Sequence, residues 1–243
     1  MGLFSRKKSI LDTTILQNAT DRHSHILYGV DDGVASQEEA LQILEFYQQQ
    51  GLKDLWLTPH VMEDIPNSTE KLKVRFKELM AAYVPEGESG TDHVRLHLAA
   101  EYMLDPLFAS RLDQGDLLTM EDNMVLVETS TWSPPMDLYE IFDRMMRKGY
   151  RPLFAHVERY HYLKPEDYDR IHKMGVRMQL NVGSLTGGYG ENSQKRAHIL
   201  LDKSYYHCCG SDCHRFKNIY SQYSAKELDK DDLAALESLF HQS

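Results

Sequence analysis

The stretch SQEEALQILEFYQQQGLKDLWLTPH, residues 36–60, contains a helix–strand unit that the rest of the chain repeats. Ser36 and Glu39 have the spacing of a capping box, and Gly51 ends the segment that they begin, so this part predicts one capped helix. The apolar run LKDLWLT follows and predicts a short buried strand. His60 comes after that run, so a side chain that can bind a metal or carry a proton stands where the strand ends.

This alternation of helix and strand continues along the chain. Further helices are predicted at 68–83, 105–115, 135–149, 164–175, 192–204 and from about Ala225. Further strands are predicted at 20–27, 94–101, 124–129, 151–157, 176–184 and 206–212. About seven apolar strands separated by amphipathic helices favour a parallel sheet that closes, or nearly closes, into a barrel. An open doubly wound sheet is the alternative.

The composition is that of one globular domain. The chain has 243 residues, of which 42% are hydrophobic and 26% charged. No internal sequence repeat, low-complexity tract or Pro/Gly-rich linker divides it. We expect residues 1–19 to form an N-terminal tail and lead-in, and residues 20–243 to form a single domain.

Charge and cysteine content argue against several classes of protein. The net charge of −10 gives no support to a nucleic-acid partner. No apolar run approaches the roughly 20 residues that span a bilayer, and the basic N-terminus lacks the apolar stretch of a secretory signal. The three cysteines are clustered and do not make a disulfide framework, so we expect a cytoplasmic protein.

Many of the histidines and several carboxylates fall where a predicted strand ends. His23 and His25 alternate along the first strand, so both rings are expected on one face. The other candidates at strand ends, or in the loops behind them, are Asp31, Asp32, His60, Glu101, His156, Asp212 and His214. Such positions meet at one edge of a parallel barrel, where imidazoles and carboxylates can hold one or more divalent metals. A lone His-x-His pair is more often structural, but the whole set predicts a metal site.

The segment CCGSDCHR, residues 208–215, permits a second interpretation. Cys209 and Arg215 have the spacing of a cysteine-dependent tyrosine phosphatase loop, whereas Asp212 and His214 could bind a metal. A carboxylate inside a thiolate loop would repel the phosphate and raise the pKa of the thiol. A zinc site built on these cysteines would lack a further ligand pair. The metal interpretation is therefore preferred, with the cysteines as small buried side chains.

The motifs DRHSHILYGVDDG, TPH, AAEY, AHVERY and GSDCH together resemble those of the polymerase and histidinol phosphatase (PHP) superfamily. Within it, HSHILYGVDDG and AHVERY are most similar to the bacterial protein-tyrosine phosphatases of capsule and exopolysaccharide operons. The likeness extends from about residue 20 to 220. It implies an α/β fold of PHP type, a distorted (β/α)7 TIM-like barrel, with a single PHP-type phosphatase domain over residues 20–243.

The resemblance also implies a role for each candidate ligand. The implied metal ligands are His23, His25, Asp32, His60, Glu101, His156, Asp212 and His214. His23 and His25 would bind one ion, and Glu101 would bridge it to a second ion that His60 and His156 complete. Asp212 would hold the buried end of the cluster, and His214 would hold a third ion together with Asp32. Asp32 is preferred to Asp31 because the Asp-Gly pair of the family aligns there.

The implied activity is that of a manganese-dependent phosphotyrosine-protein phosphatase that uses a metal-bridged hydroxide. Two or three Mn2+ ions are expected, with Fe, Zn, Co or Mg as alternatives. Arg159 in AHVERY corresponds to an arginine expected beside the substrate phosphate, and Arg215 is a second candidate. The expected partner is a phosphotyrosine protein or peptide, the tyrosine-rich tail of a bacterial polysaccharide-synthesis kinase. A phosphatase of a small phosphomonoester such as histidinol phosphate, or a non-catalytic metal-binding scaffold, is the competing hypothesis.

Overall fold

The computed structural model describes residues 7–84 and 93–242 and has a mixed α/β fold with two parallel sheets. The smaller sheet has three strands, in the order β1 (Thr20–Asp21), β2 (Asp54–Leu57) and β4 (Arg95–Leu98). The larger sheet has six, in the order β3 (His60–Val61), β5 (Glu101–Met103), β6 (Met124–Glu128), β7 (Arg151–Phe154), β8 (Arg177–Asn181) and β9 (Tyr206–Gly210). All paired strands are parallel, which confirms the predicted fold class at this level.

The helices alternate with these strands. They are α1 (Gln37–Gln49), α2 (Thr69–Tyr83), α3 (Pro106–Gln114), α4 (Leu138–Arg147), α5 (Pro165–Lys173), α6 (Val182–Leu185), α7 (Glu191–Asp202), α8 (Phe216–Ser224) and α9 (Lys230–Phe240). Ser36 accepts the N–H of Glu39 at the start of α1, as the capping pattern predicts. The Glu39 carboxylate accepts the N–H of Phe216 instead of closing the box, and so ties α1 to α8.

The predicted start of the last helix, near Ala225, is wrong. The chain instead forms α8 before that residue and α9 after Asp229, whose side chain caps the first turn of α9. The sequence signal of α8 is weak because only Ile219 and Tyr223 of this short helix are buried. Neither α8 nor the single turn of α6 is predicted from the sequence.

Two of the predicted strands lead from one sheet into the other, the first just beyond its predicted end at residue 58. The run at 52–58 forms β2, and the chain then passes Pro59 and begins β3 in the other sheet. The run at 94–101 likewise forms β4 and then β5. The N–H of Glu101 donates to the carbonyl of Pro59 at 3.1 Å, so the two split strands stay side by side. His60 and Glu101 thereby begin β3 and β5 at neighbouring positions.

The segment behind β1 lies beside the end of β9. Ser24 forms an isolated parallel bridge with Cys213. The N–H of Asp212 donates to the carbonyl of His23 at 2.8 Å, and the N–H of His25 donates to the carbonyl of Cys213 at 2.9 Å. Because β1 has only two residues, His23 and His25 follow it instead of lying within it, which corrects the predicted first strand.

Residues 7–19 pack against the rest of the protein. Ile10, Ile15 and Leu16 are buried in the main hydrophobic core, so the predicted lead-in is not separate from that core. The domain division at residue 19 stays a prediction, and residues 1–6 of the predicted tail lie outside the described residues. Within 7–84 and 93–242, no helix is long and apolar enough to cross a bilayer.

Candidate metal centre

The predicted ligands meet at one edge of the two sheets. Each comes from the end of a strand, the start of a continuing strand or the loop behind one, and parallel strands bring these positions together. The side chains that the structure brings together are His23, His25, Asp32, His60, Glu101, His156, Asp212 and His214. Their roles as ligands stay predictions, but their placement as one cluster is a feature of the structure.

The first group of ligand atoms surrounds the Oε2 atom of Glu101. The Nε2 atoms of His23 and His25 lie 3.1 Å apart, and each is 3.3 Å from this oxygen. Asp212 Oδ1 is 3.6 Å from His23 Nε2 and 3.3 Å from His25 Nε2. All four residues are buried, and their arrangement suits one divalent cation.

The second group contains Glu128, a carboxylate that is not among the ligands predicted from the sequence. His60 Nδ1 lies 3.1 Å from Glu101 Oε2 and 3.0 Å from Glu128 Oε1. All three atoms are buried, yet none has a hydrogen-bond partner of suitable geometry among the described residues. An unpaired buried polar atom costs about 1–3 kcal/mol, and one cation between the three would satisfy them all. His156 Nε2 completes this group, 3.0 Å from Glu101 Oε1.

The third group lies nearest the solvent. Asp32 Oδ1 is 3.5 Å from His60 Nε2 and 3.6 Å from His214 Nε2. The rings of His25 and His214 stack with their centroids 4.0 Å apart. The Asp32 carboxylate is 67% exposed, so a cation in this group would be the most accessible to solvent and substrate.

Further contacts orient the imidazole rings. His23 Nδ1 lies 2.7 Å from Gln179 Oε1, and His25 Nδ1 lies 2.9 Å from Asp31 Oδ2. His214 Nδ1 lies 2.9 Å from the backbone carbonyl of Asp212. When each Nδ1–H donates to its oxygen, the lone pair of Nε2 is directed into the cluster, which is the state that binds a metal. Asp31 thus lies outside the ligand cluster and holds one of its rings.

At two glycines the backbone lies very close to the candidate ligands. A Cβ atom at Gly33 would lie 2.2 Å from the carbonyl oxygen of His25, and one at Gly210 would lie 2.4 Å from His23 Cβ. Only glycine lets these loops approach the two histidines. His156 (φ 35°) and Asp212 (φ 53°) adopt left-handed conformations that cost non-glycine residues free energy. The surrounding structure therefore forces both side chains into place.

Carboxylates and histidines of the cluster shift one another's pKa values. Burial acts to raise the pKa of Glu101 and of Asp212, but attraction to His23 and the other histidines outweighs it and lowers both pKa values. Burial acts to lower the pKa of His23, whereas Glu101 and Asp212 raise it to about 8. Glu101 and Asp212 are therefore ionised near neutral pH, and a cation that binds beside them must displace the proton of His23.

The two predicted phosphate-binding arginines are placed differently. Arg159 Nη1 donates to Asp212 Oδ2 at 3.0 Å, and its guanidinium lies 4.3 Å from the centroid of the Tyr189 ring. The same arginine lines a cavity of about 440 Å³ beside the cluster. Arg215 Nη1 donates to the backbone carbonyls of Gly33 and His214, so any contact with phosphate rests on its other N–H groups.

Among the described residues, the groups of atoms that could hold a metal contain no cysteine sulfur. Cys208, Cys209 and Cys213 are all buried, and none forms a disulfide. Burial raises the pKa of Cys208 to about 12 and also raises the pKa of the other two thiols. A thiolate nucleophile needs exposure and a lowered pKa, so the geometry is against the cysteine-phosphatase interpretation.

Fold and site together define a parallel α/β protein with a candidate multinuclear metal centre at one sheet edge. The chain belongs to the CpsB/CapC family of capsular polysaccharide synthesis, whose model matches residues 19–224. This match confirms the resemblance drawn from the motifs.

Two relatives carry names that describe an activity. The tyrosine-protein phosphatase CpsB of Streptococcus agalactiae is 28% identical over 203 residues, which cover 80% of this chain and 82% of that protein. The tyrosine-protein phosphatase YwqE of Bacillus subtilis is 24% identical over 221 residues, covering 87% of this chain and 84% of that protein.

A solved structure shows the same fold. It comes from work on YwqE of Bacillus subtilis and CpsB of Streptococcus pneumoniae, described as unique metal-dependent tyrosine phosphatases. It matches with a TM-score of 0.77 at 22% identity and covers 92% of this chain and 88% of that one. The match supports the arrangement of strands and helices around the candidate metal centre.

Proposed function

We propose that this protein is a manganese-dependent phosphotyrosine-protein phosphatase. The observation that carries the proposal is the convergence of unpaired ligand atoms of His60, Glu101 and Glu128 in the cluster whose Asp212 contacts Arg159, a residue that lines the cavity. Sequence similarity to relatives named tyrosine-protein phosphatases also supports the proposal. A non-catalytic scaffold would not need a charged arginine and a solvent-accessible cavity next to its metals.

We propose that the cluster holds two or three ions. The first would be held by His23, His25, Glu101 and Asp212, the second by His60, Glu101, Glu128 and His156, and the third by Asp32, His60 and His214. Mixed imidazole and carboxylate donors suit manganese, iron, zinc and cobalt, with magnesium as a weaker competitor. Ions in these positions would polarise the phosphate and lower the pKa of a coordinated water.

The protein side chains orient the substrate and balance its charge. Arg159 lies between Asp212 and the cavity, so its guanidinium would face the equatorial oxygens of a phosphate that enters there. Tyr189 keeps the guanidinium in place through the face of its ring. Arg215 remains a second, weaker candidate for phosphate contact.

We propose that the two sheets form one distorted (β/α)7 barrel of PHP type. When β2 with β3 and β4 with β5 are each taken as one interrupted strand, seven strands remain. The hydrogen bonds of His23 and His25 to the segment behind β9 support closure between the first and last strands.

The proposed substrate is a phosphotyrosine protein, the tyrosine-rich tail of a bacterial polysaccharide-synthesis kinase in the cytoplasm. Membership of a capsular polysaccharide family supports this choice, and three thiols without disulfides suit a reducing compartment. A small phosphomonoester such as histidinol phosphate is the competing substrate class.

The test compares metal-free and Mn2+-loaded protein on a phosphotyrosine peptide and on histidinol phosphate. We expect activity only after loading, with a higher kcat/KM for the peptide. Full activity in metal-free protein would overturn the metal proposal. A preference for histidinol phosphate would keep the metal centre and replace the substrate.

A further inference from the structure

The cavity beside the cluster has a largely aromatic lining. It is bordered by Thr131, Trp132, Arg159, His161, Tyr162, Tyr189 and Ser193. Arg159 connects it to the cluster, because its Nη1 contacts Asp212 Oδ2 at 3.0 Å. A ligand that places an anionic group at Arg159 would therefore have its remaining atoms among aromatic side chains.

Trp132 is exposed although a tryptophan gains much by burial. Its side chain is 91% exposed, on the loop that follows β6. The base of this loop is fixed: Thr129 N–H donates to Tyr160 Oη at 3.2 Å, and Thr129 Oγ1 is hydrogen-bonded to Tyr162 Oη. An anchored loop thus presents an unburied indole at the rim of the cavity.

Two tyrosines of the lining are held by neighbouring side chains. Tyr162 stacks on Tyr160, with ring centroids 5.7 Å apart, and Tyr160 stacks on Phe154 at 4.8 Å. Tyr189 is held by the Arg159 guanidinium over its face and by a 3.4 Å hydrogen bond from its hydroxyl to Asp212 Oδ2. Two supported rings and one exposed indole therefore line the same cavity as the arginine.

We propose that this cavity is an aryl subsite and that Trp132 determines specificity for aryl over alkyl phosphates. The inference rests on the proposed function and specifies how the substrate side chain is chosen. The tyrosyl ring would contact Trp132, with its phosphate at Arg159 and the metal cluster. A flat ring gains stacking and apolar contact from this lining. The flexible chain of a phosphoserine or a small alkyl phosphate gains less and loses more conformational entropy.

The test measures binding to full-length protein loaded with Mn2+, by calorimetry. The probes are phenylphosphonate and propylphosphonate, which share the anionic group and cannot be hydrolysed. The variants are Trp132→Ala, Trp132→Phe and, as a matched control, Met136→Ala. Met136 is also an exposed apolar residue on the same loop, and it does not line the cavity.

We expect Trp132→Ala to weaken phenylphosphonate binding about 3- to 10-fold, the range of one aromatic pair, and to change propylphosphonate binding less than about twofold. Trp132→Phe should retain most of the affinity, and Met136→Ala should bind both probes like the unaltered protein. Equal losses for both probes, or no loss for either, would overturn the aryl subsite.

The result of this binding test can be distinguished from the result of the test of the proposed phosphatase activity. Turnover of a phosphotyrosine peptide with no selective effect at Trp132 would retain the phosphatase and reject the subsite. Selective loss of phenylphosphonate binding in a protein that hydrolyses no phosphate ester would retain the subsite and reject the phosphatase.

Discussion

The metal cluster and the neighbouring aromatic cavity are built from different parts of the fold. Most of the cluster is buried, its side chains come from strand ends and the loops behind them, and a further contact orients several of its rings. The cavity is formed mainly by loops and carries one of the most exposed large hydrophobic side chains in the described structure, Trp132. This difference suggests that metal binding and substrate choice can be impaired separately, with Arg159 as the contact between the two regions.

The largest effect is expected in the metal cluster, for Asp212→Asn. It removes a negative charge that faces His23 and His25, so we expect metal binding to weaken and phosphatase activity to fall more than about 1,000-fold. Metal content by mass spectrometry and turnover of a phosphotyrosine peptide measure the two effects. The matched control is Asp169→Asn, which removes a surface carboxylate paired with Lys203 and should change neither. An Asp212→Asn protein that lost its metal but kept its activity would contradict the metal dependence of the reaction.

The next largest effect is expected at the boundary between the regions. Arg159→Ala should lower kcat on the order of 100-fold, because a charge donor beside the phosphate is lost. Metal content should remain, since the histidine and carboxylate ligands are unchanged. Arg159→Lys should recover only part of the rate, because an ammonium lacks the planar fork of the guanidinium. A rate equal to that of the unaltered protein would remove Arg159 from the site.

The two regions also differ in how far the sequence predicts them. His60 and His156 are recognisable because each ends an apolar run, and parallel strands bring such positions together. Glu128 also ends an apolar run, MVLVE, but no motif accompanies it, so its place beside His60 emerges only from the structure. Trp132 is one aromatic residue in a loop, and loop conformation depends on distant contacts such as those made by Thr129.

The strand and helix pattern shows the same limit. Helices with caps and several inward apolar residues, such as α1, are predicted well. The splitting of two strands is not, because the change from one sheet to the other at Pro59 depends on neighbouring strands and leaves the apolar pattern unaltered. Asp31 and Asp32 are adjacent and chemically alike, and only the three-dimensional arrangement assigns them different contacts.

A smaller effect is expected from the contacts that orient the ligands. Asp31 accepts N–H groups of His25 and His60 at one oxygen and of Gly33 at the other. Asp31→Asn would turn an amide NH2 toward one of these donors, so we expect metal affinity to fall about 10- to 100-fold. Excess Mn2+ should restore most of the activity, which a change to a direct ligand would not allow.

The matched control for this variant is Asp54→Asn. Asp54 also accepts from a histidine, His97, at 2.7 Å, but this pair lies outside the cluster. Metal titration of both variants separates a specific contact from a general effect of losing a carboxylate–histidine pair. Equal affinities in the two variants would assign Asp31 a purely structural role.

The smallest effect is expected for the cysteines beside the ligands. Replacing Cys208, Cys209 and Cys213 by alanine should leave kcat within about threefold, because their raised pKa values and burial prevent thiolate chemistry. The free energy of unfolding should fall, by about 1 kcal/mol for each cysteine, as sulfur atoms are lost from packed positions. Thermal denaturation measures this cost, and assays at low temperature separate it from catalysis.

The cysteine variant and Asp212→Asn make a close comparison because Asp212 is adjacent to Cys213 in the chain. The Cys213 side chain points into the hydrophobic core, whereas Asp212, in its left-handed conformation, directs its carboxylate toward His23 and His25. Neighbouring residues thus serve packing and metal binding separately. If the alanine variant kept its metals and its fold but lost activity, a thiol would have to take part in the reaction. If it stayed active while Asp212→Asn did not, the reaction would depend on the carboxylate and its metals alone.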